Sequence, residues 1–259
     1  MRNIYLLFVK ELRSYFSSPI AYVVIAMFLA ITGYLFYGLF AYFSKLSFQA
    51  QIDPTLARQA NLLNVTESVI RPLFGIISMI MLIMTPLITM RQFSEEKKSG
   101  TIELLLSYPV TDTQVLAGKF LSCLGVLGAM LLASLIFPAL VMYFGEPETG
   151  PIITGYLGLF LLGASFIALG LFASSLTENQ IIAATISFGV LFLFWMLSMS
   201  VPFVTPGIGR FLAYVSITQH VESFAKGVID TEDVIYYAIF IFLFLFLTLR
   251  MLESKRWRG

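Results

Sequence analysis

The chain has 259 residues, of which 58% are hydrophobic and only 12% are charged, whereas soluble domains carry about 25% charged residues. Together with a mean hydropathy of +0.88, this composition excludes an ordinary soluble domain and indicates an integral membrane protein. The net charge of +1, without a basic tract, argues against a nucleic-acid partner. The single cysteine, Cys123, excludes an internal disulfide and a thiolate metal cluster.

The first 17 residues predict an amphipathic helix that lies in the membrane interface rather than crossing it. At about 100° per residue, its apolar side carries Ile4, Leu7, Phe8, Leu12 and Tyr15. Its other side carries Arg2, Lys10 and Arg13. Glu11 breaks the pattern because it falls on the apolar side. Either its carboxylate extends to water, or it has a partner on a neighbouring element, for which Lys97 and Lys98 are the candidates.

Six stretches that are uncharged or nearly so are long enough to span a bilayer at about 1.5 Å per residue. They are predicted at residues 20–43, 72–90, 118–144, 153–175, 180–201 and 234–251. Between the first two, Asp53-Pro54 favours the start of a short interfacial helix. Before the last, residues 202–233 form a longer mixed segment, in which the lone His220 is interpreted as an interfacial polar residue.

The distribution of Lys and Arg predicts the orientation of these spans. Six spans place both termini on one side of the membrane. That side carries eleven of the 16 basic residues: Arg2, Lys10, Arg13, Arg91, Lys97, Lys98, Lys119, Arg250, Lys255, Arg256 and Arg258. The other side carries Lys45, Arg58, Arg71, Arg210 and Lys226. Both termini and residues 91–117 are therefore predicted to be cytoplasmic.

The predicted spans contain no source of energy or catalysis of their own. No charged residue lies near the middle of a span, and secondary transporters usually need one there. The sequence has no Gly-x4-Gly-Lys-Ser/Thr loop for ATP, no His-Glu-x-x-His and no Gly-x-Ser-x-Gly. We therefore expect no catalytic and no metal-binding residues in this chain.

The most informative cytoplasmic stretch follows the second predicted span. Glu95-Glu96-Lys97-Lys98 suits a water-facing helix, and Gly100 allows a bend. An apolar ridge at residues 104–106 follows, and Pro109 is expected to end the helix. Thr111 and Gln114 then form a capping box that begins the helix leading into the third span. A plain loop needs only a few residues, so we interpret this stretch as a docking element for a cytoplasmic protein.

The sequence of this stretch resembles the signature of ABC-2-type permease subunits. The resemblance lies in Glu96-Lys-Lys-Ser-Gly-Thr-Ile-Glu-Leu-Leu-Leu-Ser-Tyr-Pro-Val110, in Gln114-Val-Leu-Ala-Gly-Lys-Phe120 and in Lys10-Glu11-Leu12. Within the family, the sequence looks most similar to the branch of gliding-motility and copper-processing permeases. The six-span layout covers the whole chain, and the specific motif covers residues 91–120.

The resemblance implies an all-α membrane domain at residues 1–259 and assigns roles to its parts. The first 17 residues would be the connecting helix, with Lys10 and Glu11. The segment 91–109 would be the coupling or gate element, with Glu95, Glu96, Ser99, Gly100, Thr101, Glu103, Leu104, Tyr108 and Pro109. Thr177 and Glu178, in the turn between spans four and five, would make a second cytoplasmic contact. Residues 202–233 would form an outer re-entrant region.

The resemblance also implies partners. A separate ATPase subunit would bind ATP and Mg, so that this chain holds no cofactor. A second copy of the permease, or a homologous one, would complete a transporter in the bacterial inner membrane, in contact with lipid and with possible accessory extracytoplasmic proteins. Such systems mostly export.

Two other functions remain open from the sequence: a secondary transporter or channel acting alone, and a membrane anchor that transports nothing. The few polar residues of the spans suit an amphipathic or lipid-like solute; they are Ser134, Thr185, Ser187 and Ser198.

Overall fold

The computed structural model describes residues 2–52, 64–101 and 110–256, and the regular elements within them are all helical. They are α1 (Arg2–Ser17), α2 (Pro19–Ile52), α3 (Arg71–Thr89), α4 (Arg91–Lys98), α5 (Asp112–Ser134), α6 (Ile136–Phe144), α7 (Thr149–Leu176), α8 (Gln180–Ser200), α9 (Pro206–Val215), α10 (Val221–Ala225) and α11 (Thr231–Arg256). A π-helical turn, Thr66–Ile70, leads into α3, and a short 3-10 turn, Val201–Phe203, follows α8.

Six stretches of the described residues are long and apolar enough to cross a membrane. They are Pro19–Ile52, Thr66–Lys98, Asp112–Phe144, Thr149–Leu176, Gln180–Ser200 and Thr231–Ser254. The predicted all-helical, six-span membrane protein is therefore confirmed as a fold class.

The helices extend further than the apolar stretches that predicted them. Helix α2 continues to Ile52, past the expected end at residue 43, and α11 runs from Thr231 to Arg256, whereas 234–251 was expected. Hydropathy marks where a helix leaves the bilayer, but the backbone hydrogen bonds are internal to the helix and can continue in water. The short helix predicted after Asp53 lies outside the described residues.

Side-chain caps and a glycine set three of the helix ends. The Thr111 hydroxyl accepts a hydrogen bond from the Gln114 backbone N–H, and the Gln114 side chain caps Thr111 in return, so the capping box at the start of α5 is confirmed. Asn179 caps α8 in a similar way, with its Oδ1 2.9 Å from the backbone nitrogen of Ile181. After α4, Gly100 adopts a φ of +70°, a left-handed conformation that costs glycine little and stops the helix.

Helix α7 forms the centre of the bundle, packed against α3, α5, α8, α10 and α11. In the most apolar 18-residue stretch of α7, 78% of the residues are buried. In the corresponding stretches of α8 and α11, only 17% are buried. Glycines on α7 permit this close packing. A Cβ at Gly155 would overlap the Phe74 ring of α3, and a Cβ at Gly158 would lie 2.7 Å from the Cβ of Phe224.

Helix α1 lies against α5. Leu7 and Leu12, on its predicted apolar side, pack against the hydrophobic core. A Cβ at Gly118 of α5 would lie 2.7 Å from the Leu7 Cβ, so the two backbones approach closely. The apolar side of the predicted interfacial helix therefore faces the protein's own third span, while Tyr5 and Leu6 remain exposed.

The segment before α11 is held by a buried polar cluster. His220, interpreted from the sequence as an interfacial polar residue, has a buried ring, with its Nδ1 2.6 Å from the Asp233 carboxylate and its Nε2 3.0 Å from the Tyr214 carbonyl. The ring also stacks on Tyr236 at 3.9 Å between centroids. Asp233 accepts a further hydrogen bond from Ser223. The His220 ring can be buried because Asp233, in the first turn of α11, supplies a hydrogen-bond partner for it.

The close packing of α7 predicts that Gly155→Ala destabilises the protein. The added methyl group would overlap the fully buried Phe74 ring, and overpacking of this kind costs about 1–3 kcal/mol. Gly128→Ala is the matched control, since a Cβ there has no neighbour within 4 Å. Thermal unfolding in one detergent measures both, and equal midpoints for the two variants would contradict the packing argument.

Candidate functional site

Helix α4 is anchored to the end of α7. The backbone N–H groups of Phe93 and Ser94 each donate to the Ser174 hydroxyl at 3.1 Å, and that hydroxyl donates to the Met90 carbonyl at 2.9 Å. Because α4 has no side-chain cap of its own, Ser174 of α7 satisfies the donors at its first turn. The position of α4 is therefore fixed by the central helix.

The prediction that the charged run forms a water-facing helix is only partly correct. Lys98 is exposed, but Lys97 is buried and its ammonium donates to the Ser175 carbonyl at the end of α7. Ser175 lies just before the turn with Thr177 and the exposed Glu178. The two cytoplasmic contacts predicted separately, after spans two and four, therefore lie side by side.

A buried lysine joins three elements. The Lys119 ammonium of α5 lies 2.7 Å from Glu96 Oε1 of α4 and 3.4 Å from Glu11 Oε1 of α1, and the Lys119 side chain is only 3% exposed. Glu11 thus has a partner on a neighbouring element, but Lys97 and Lys98 were the wrong candidates. Lys97 reaches the end of α7 instead, and Lys98 faces solvent.

A second polar chain crosses the same region. Gln92 Nε2 of α4 donates to the Tyr15 hydroxyl at 2.6 Å, and that hydroxyl donates to the Ile88 carbonyl of α3 at 2.6 Å. Burial raises the pKa of Tyr15 well above its ordinary value of 10.0. The hydroxyl therefore stays protonated and remains a donor at physiological pH.

These groups surround a cavity of about 240 Å³ between α1, the start of α2, α3, α4 and α5, which we call the junction cavity. Its walls include Glu11, Tyr15, Arg91, Gln92, Glu96 and Lys119. Lys10 and Glu95 line it as well, with Lys10 exposed and Glu95 paired to Arg91 at 2.8 Å. Four residues predicted from the sequence, Lys10, Glu11, Glu95 and Glu96, thus border one space.

The other predicted site residues lie outside this cavity. Ser99, Gly100 and Thr101 are exposed at the end of α4, where the Ser99 hydroxyl donates to the Glu95 carbonyl at 2.8 Å. The remaining predicted gate residues lie outside the described part of the chain; they are Glu103, Leu104, Tyr108 and Pro109.

The sequence interpretation assigned no site role to several residues of this region, among them Gln92, Lys119 and Ser174. A signal existed for Lys119, since it is a cation in an apolar helix whose phase is set by the Thr111 capping box. Nothing in the sequence distinguished Ser174 from other small residues of the spans. Among the described residues, no group of three or more His, Cys, Asp or Glu could hold a metal ion. The arrangement is thus suited to linking helices by ion pairs and hydrogen bonds.

Lys119→Met is expected to destabilise the protein because it leaves the carboxylates of Glu11 and Glu96 without their shared cation. Removing one partner of a buried ion pair costs about 3–5 kcal/mol, and the small exposure of both carboxylates places the effect near the lower value. Lys226→Met is the control, because the pair of Lys226 with Glu222 is more than half exposed and should contribute about 0–1 kcal/mol. Similar shifts of the unfolding midpoint in both variants would show that the buried pairing is not structurally important.

Comparison with known proteins bears on this fold and site. The sequence matches the family described as ABC-2 family transporter protein over residues 5–252. It is similar to the probable multidrug ABC transporter permease YbhS of Escherichia coli, in strains K12 and O157:H7, with 34% identity over 123 residues. That match covers 46% of this chain and 31% of the relative. The chain therefore belongs to the ABC-2 transporter family, as a multi-pass membrane protein with six apolar helices long enough to span the bilayer.

Proposed function

We propose that this chain is the permease subunit of an ATP-driven exporter. A separate ATPase subunit docks against the exposed end of α4, the segment that follows it and the turn after α7, and drives the membrane helices through these contacts. ATP and Mg bind in that partner, because the sequence lacks a P-loop. This chain then contributes the transport path and no catalytic residue.

The buried Lys119 pairing carries the proposal. It connects α1 with α4 and α5, and Glu11 is 108 residues from Lys119 in the sequence. The pairing lies at the side of the membrane that is predicted to hold most of the basic residues. A push on α4 cannot leave α1 and α5 in place without separating a buried cation from its carboxylates. A helix such as α4 needs a buried link of this kind if it transmits movement from a docked subunit to the other helices. A simple connecting loop needs no such link.

The surfaces of the outer helices support a second permease copy. Helices α8 and α11 bury little of their apolar surface within the chain, so that this surface must face lipid or another protein. In the proposed transporter, two permeases and two ATPases assemble at the inner membrane, with both termini of this chain in the cytoplasm. The name of the relative, a probable multidrug permease, and the apolar character of the spans favour an amphipathic exported solute.

Co-purification tests the central point. The tagged chain, isolated from its own host membranes, should retain a subunit that has a nucleotide-binding P-loop, and the complex should hydrolyse ATP after reconstitution in liposomes. ATP added to inside-out vesicles should drive the accumulation of an amphipathic dye inside them, because the proposed exporter moves solute away from the cytoplasmic side of the membrane. Solute movement by the chain alone along an ion gradient would instead identify a secondary transporter.

Glu11→Gln should lower the ATPase activity of the reconstituted complex at least about fivefold, the lower range of coupling effects between linked sites. The reason is that a neutral amide at this position weakens the link of α1 to Lys119 while the ATPase itself is unchanged. Glu253→Gln serves as the control, because Glu253 pairs with Arg250 at an exposed position. Membrane insertion of both variants should match the parent chain. Unchanged ATPase activity in Glu11→Gln would remove Glu11 from the coupling mechanism.

A further inference from the structure

We infer that the junction cavity binds the headgroup of a phospholipid that carries a primary ammonium group, as in phosphatidylethanolamine. The ammonium donates to Gln92 Oε1 and Glu96 Oε2 inside the cavity, and the phosphate lies at the mouth near Lys10 and Arg91. This site does not depend on the proposed ATPase, because it lies within one chain.

Two oxygen atoms of residues that line the cavity accept no hydrogen bond from the part of the chain that the structure describes. They are Gln92 Oε1 and Glu96 Oε2; both atoms are out of contact with solvent, and Gln92 as a residue is only 6% exposed. Buried acceptors in proteins are nearly always hydrogen-bonded. Both residues line the junction cavity, so a ligand there can supply the missing donors.

The hydrogen bonds of Tyr15 fix which atom of Gln92 is left over. The Tyr15 hydroxyl has one proton, and it goes to the Ile88 carbonyl at 2.6 Å, which can only accept, rather than to the Cys123 sulfur at 3.4 Å, which is a weak acceptor. The atom of Gln92 at 2.6 Å from that hydroxyl must therefore be the amide nitrogen. The amide oxygen is then the group without a partner, and it requires a donor rather than an acceptor.

The charge inside the cavity favours a cationic donor. Glu11 and Glu96 share the buried ammonium of Lys119, and the further partner of Glu11 is the exposed Lys10 at 3.9 Å. The three buried groups therefore carry one negative charge in excess. At the mouth the balance is reversed. Lys10 is 65% exposed, and Arg91, one-third exposed, adds a second cation there although it pairs with Glu95. An ammonium inside and a phosphate at the mouth match this arrangement.

The size and position of the cavity suit a lipid headgroup. A water molecule occupies about 30 Å³ in the liquid, so a space of about 240 Å³ is far larger than one bridging water needs. Ile20, at the start of α2, and Leu87, near the end of α3, form apolar parts of the wall. Both belong to membrane-spanning helices, and the acyl chains of a bound lipid can follow them into the bilayer.

Stepwise methylation of the headgroup tests this inference. The purified, delipidated chain is titrated in detergent with phosphatidylethanolamine, its N-methyl and N,N-dimethyl derivatives and phosphatidylcholine, all with the same acyl chains, and binding is measured by native mass spectrometry. Affinity should fall with each N–H removed and be about tenfold weaker for phosphatidylcholine, since its quaternary nitrogen cannot donate. Equal affinities across the series would overturn the proposal.

A variant locates the site. Gln92→Met keeps the length of the side chain but removes the acceptor, so the preference for phosphatidylethanolamine over phosphatidylcholine should disappear. Gln219→Met is the matched control, because Gln219 bonds to Ser198 in the segment before α11, away from the cavity, and the preference should persist. A preference retained by Gln92→Met would place the lipid elsewhere. If Gln92→Met fails to fold, the methylation series on the unmodified chain still decides.

Soluble phosphoethanolamine tests whether the cavity binds a membrane lipid or the free headgroup compound. It should bind far more weakly than the lipid, because it lacks the acyl chains that contact α2 and α3. Equal or tighter binding of the soluble compound would overturn the assignment to lipid. No ATPase or nucleotide is present in these measurements, so their outcome is independent of the coupling proposal.

Discussion

The burial of the Lys119 ammonium constrains the end of the bundle where α1, α4 and α5 meet more than any other interaction described there. A charge removed from water must be paired or it destabilises the fold, and Lys119 finds both of its carboxylates on other elements. Glu11 belongs to a helix that begins the chain, and Glu96 to the helix that follows the second span. The pairing therefore holds three separate parts of the chain in one arrangement, and a change at one part must be shared by the others.

Helix α7 extends this constraint across the bundle. The end of α7 near the Lys119 junction carries Ser174, which caps α4. Its opposite end carries Thr154, whose hydroxyl donates to the Phe224 carbonyl at 2.6 Å. Helix α3 runs beside it and is tied at that opposite end by Arg71, which donates to the Ala225 carbonyl at 3.4 Å. Between these ends, small residues on α7 let the two helices pack closely. The pair thus connects the charged junction to the segment before α11.

The sequence was informative where the physical cause is local. The amphipathic pattern placed Glu11 on the inward side of α1, the Thr111 capping box set the start of α5, and long uncharged runs identified all six spans. It was uninformative where the cause is tertiary. Glu11 and Lys119 are 108 residues apart, and no periodicity states which helices will pack together. Lys97 was a reasonable candidate because it lies in a charged run, but its helix turns that side chain towards the end of α7.

Continuous packing from the junction to the segment before α11 limits how this protein can change shape. Close-packed helices joined at both ends move as rigid bodies, because bending one of them would open voids along the interface. In the proposed cycle, a displacement of α4 would therefore carry α3 and α7 with it, together with the His220–Asp233 cluster that joins α11 to the preceding segment. Movement would then be easiest at the exposed faces of α8 and α11, where few contacts within the chain resist sliding of these helices. A path for solute would have to open along such faces rather than through the buried centre around α7.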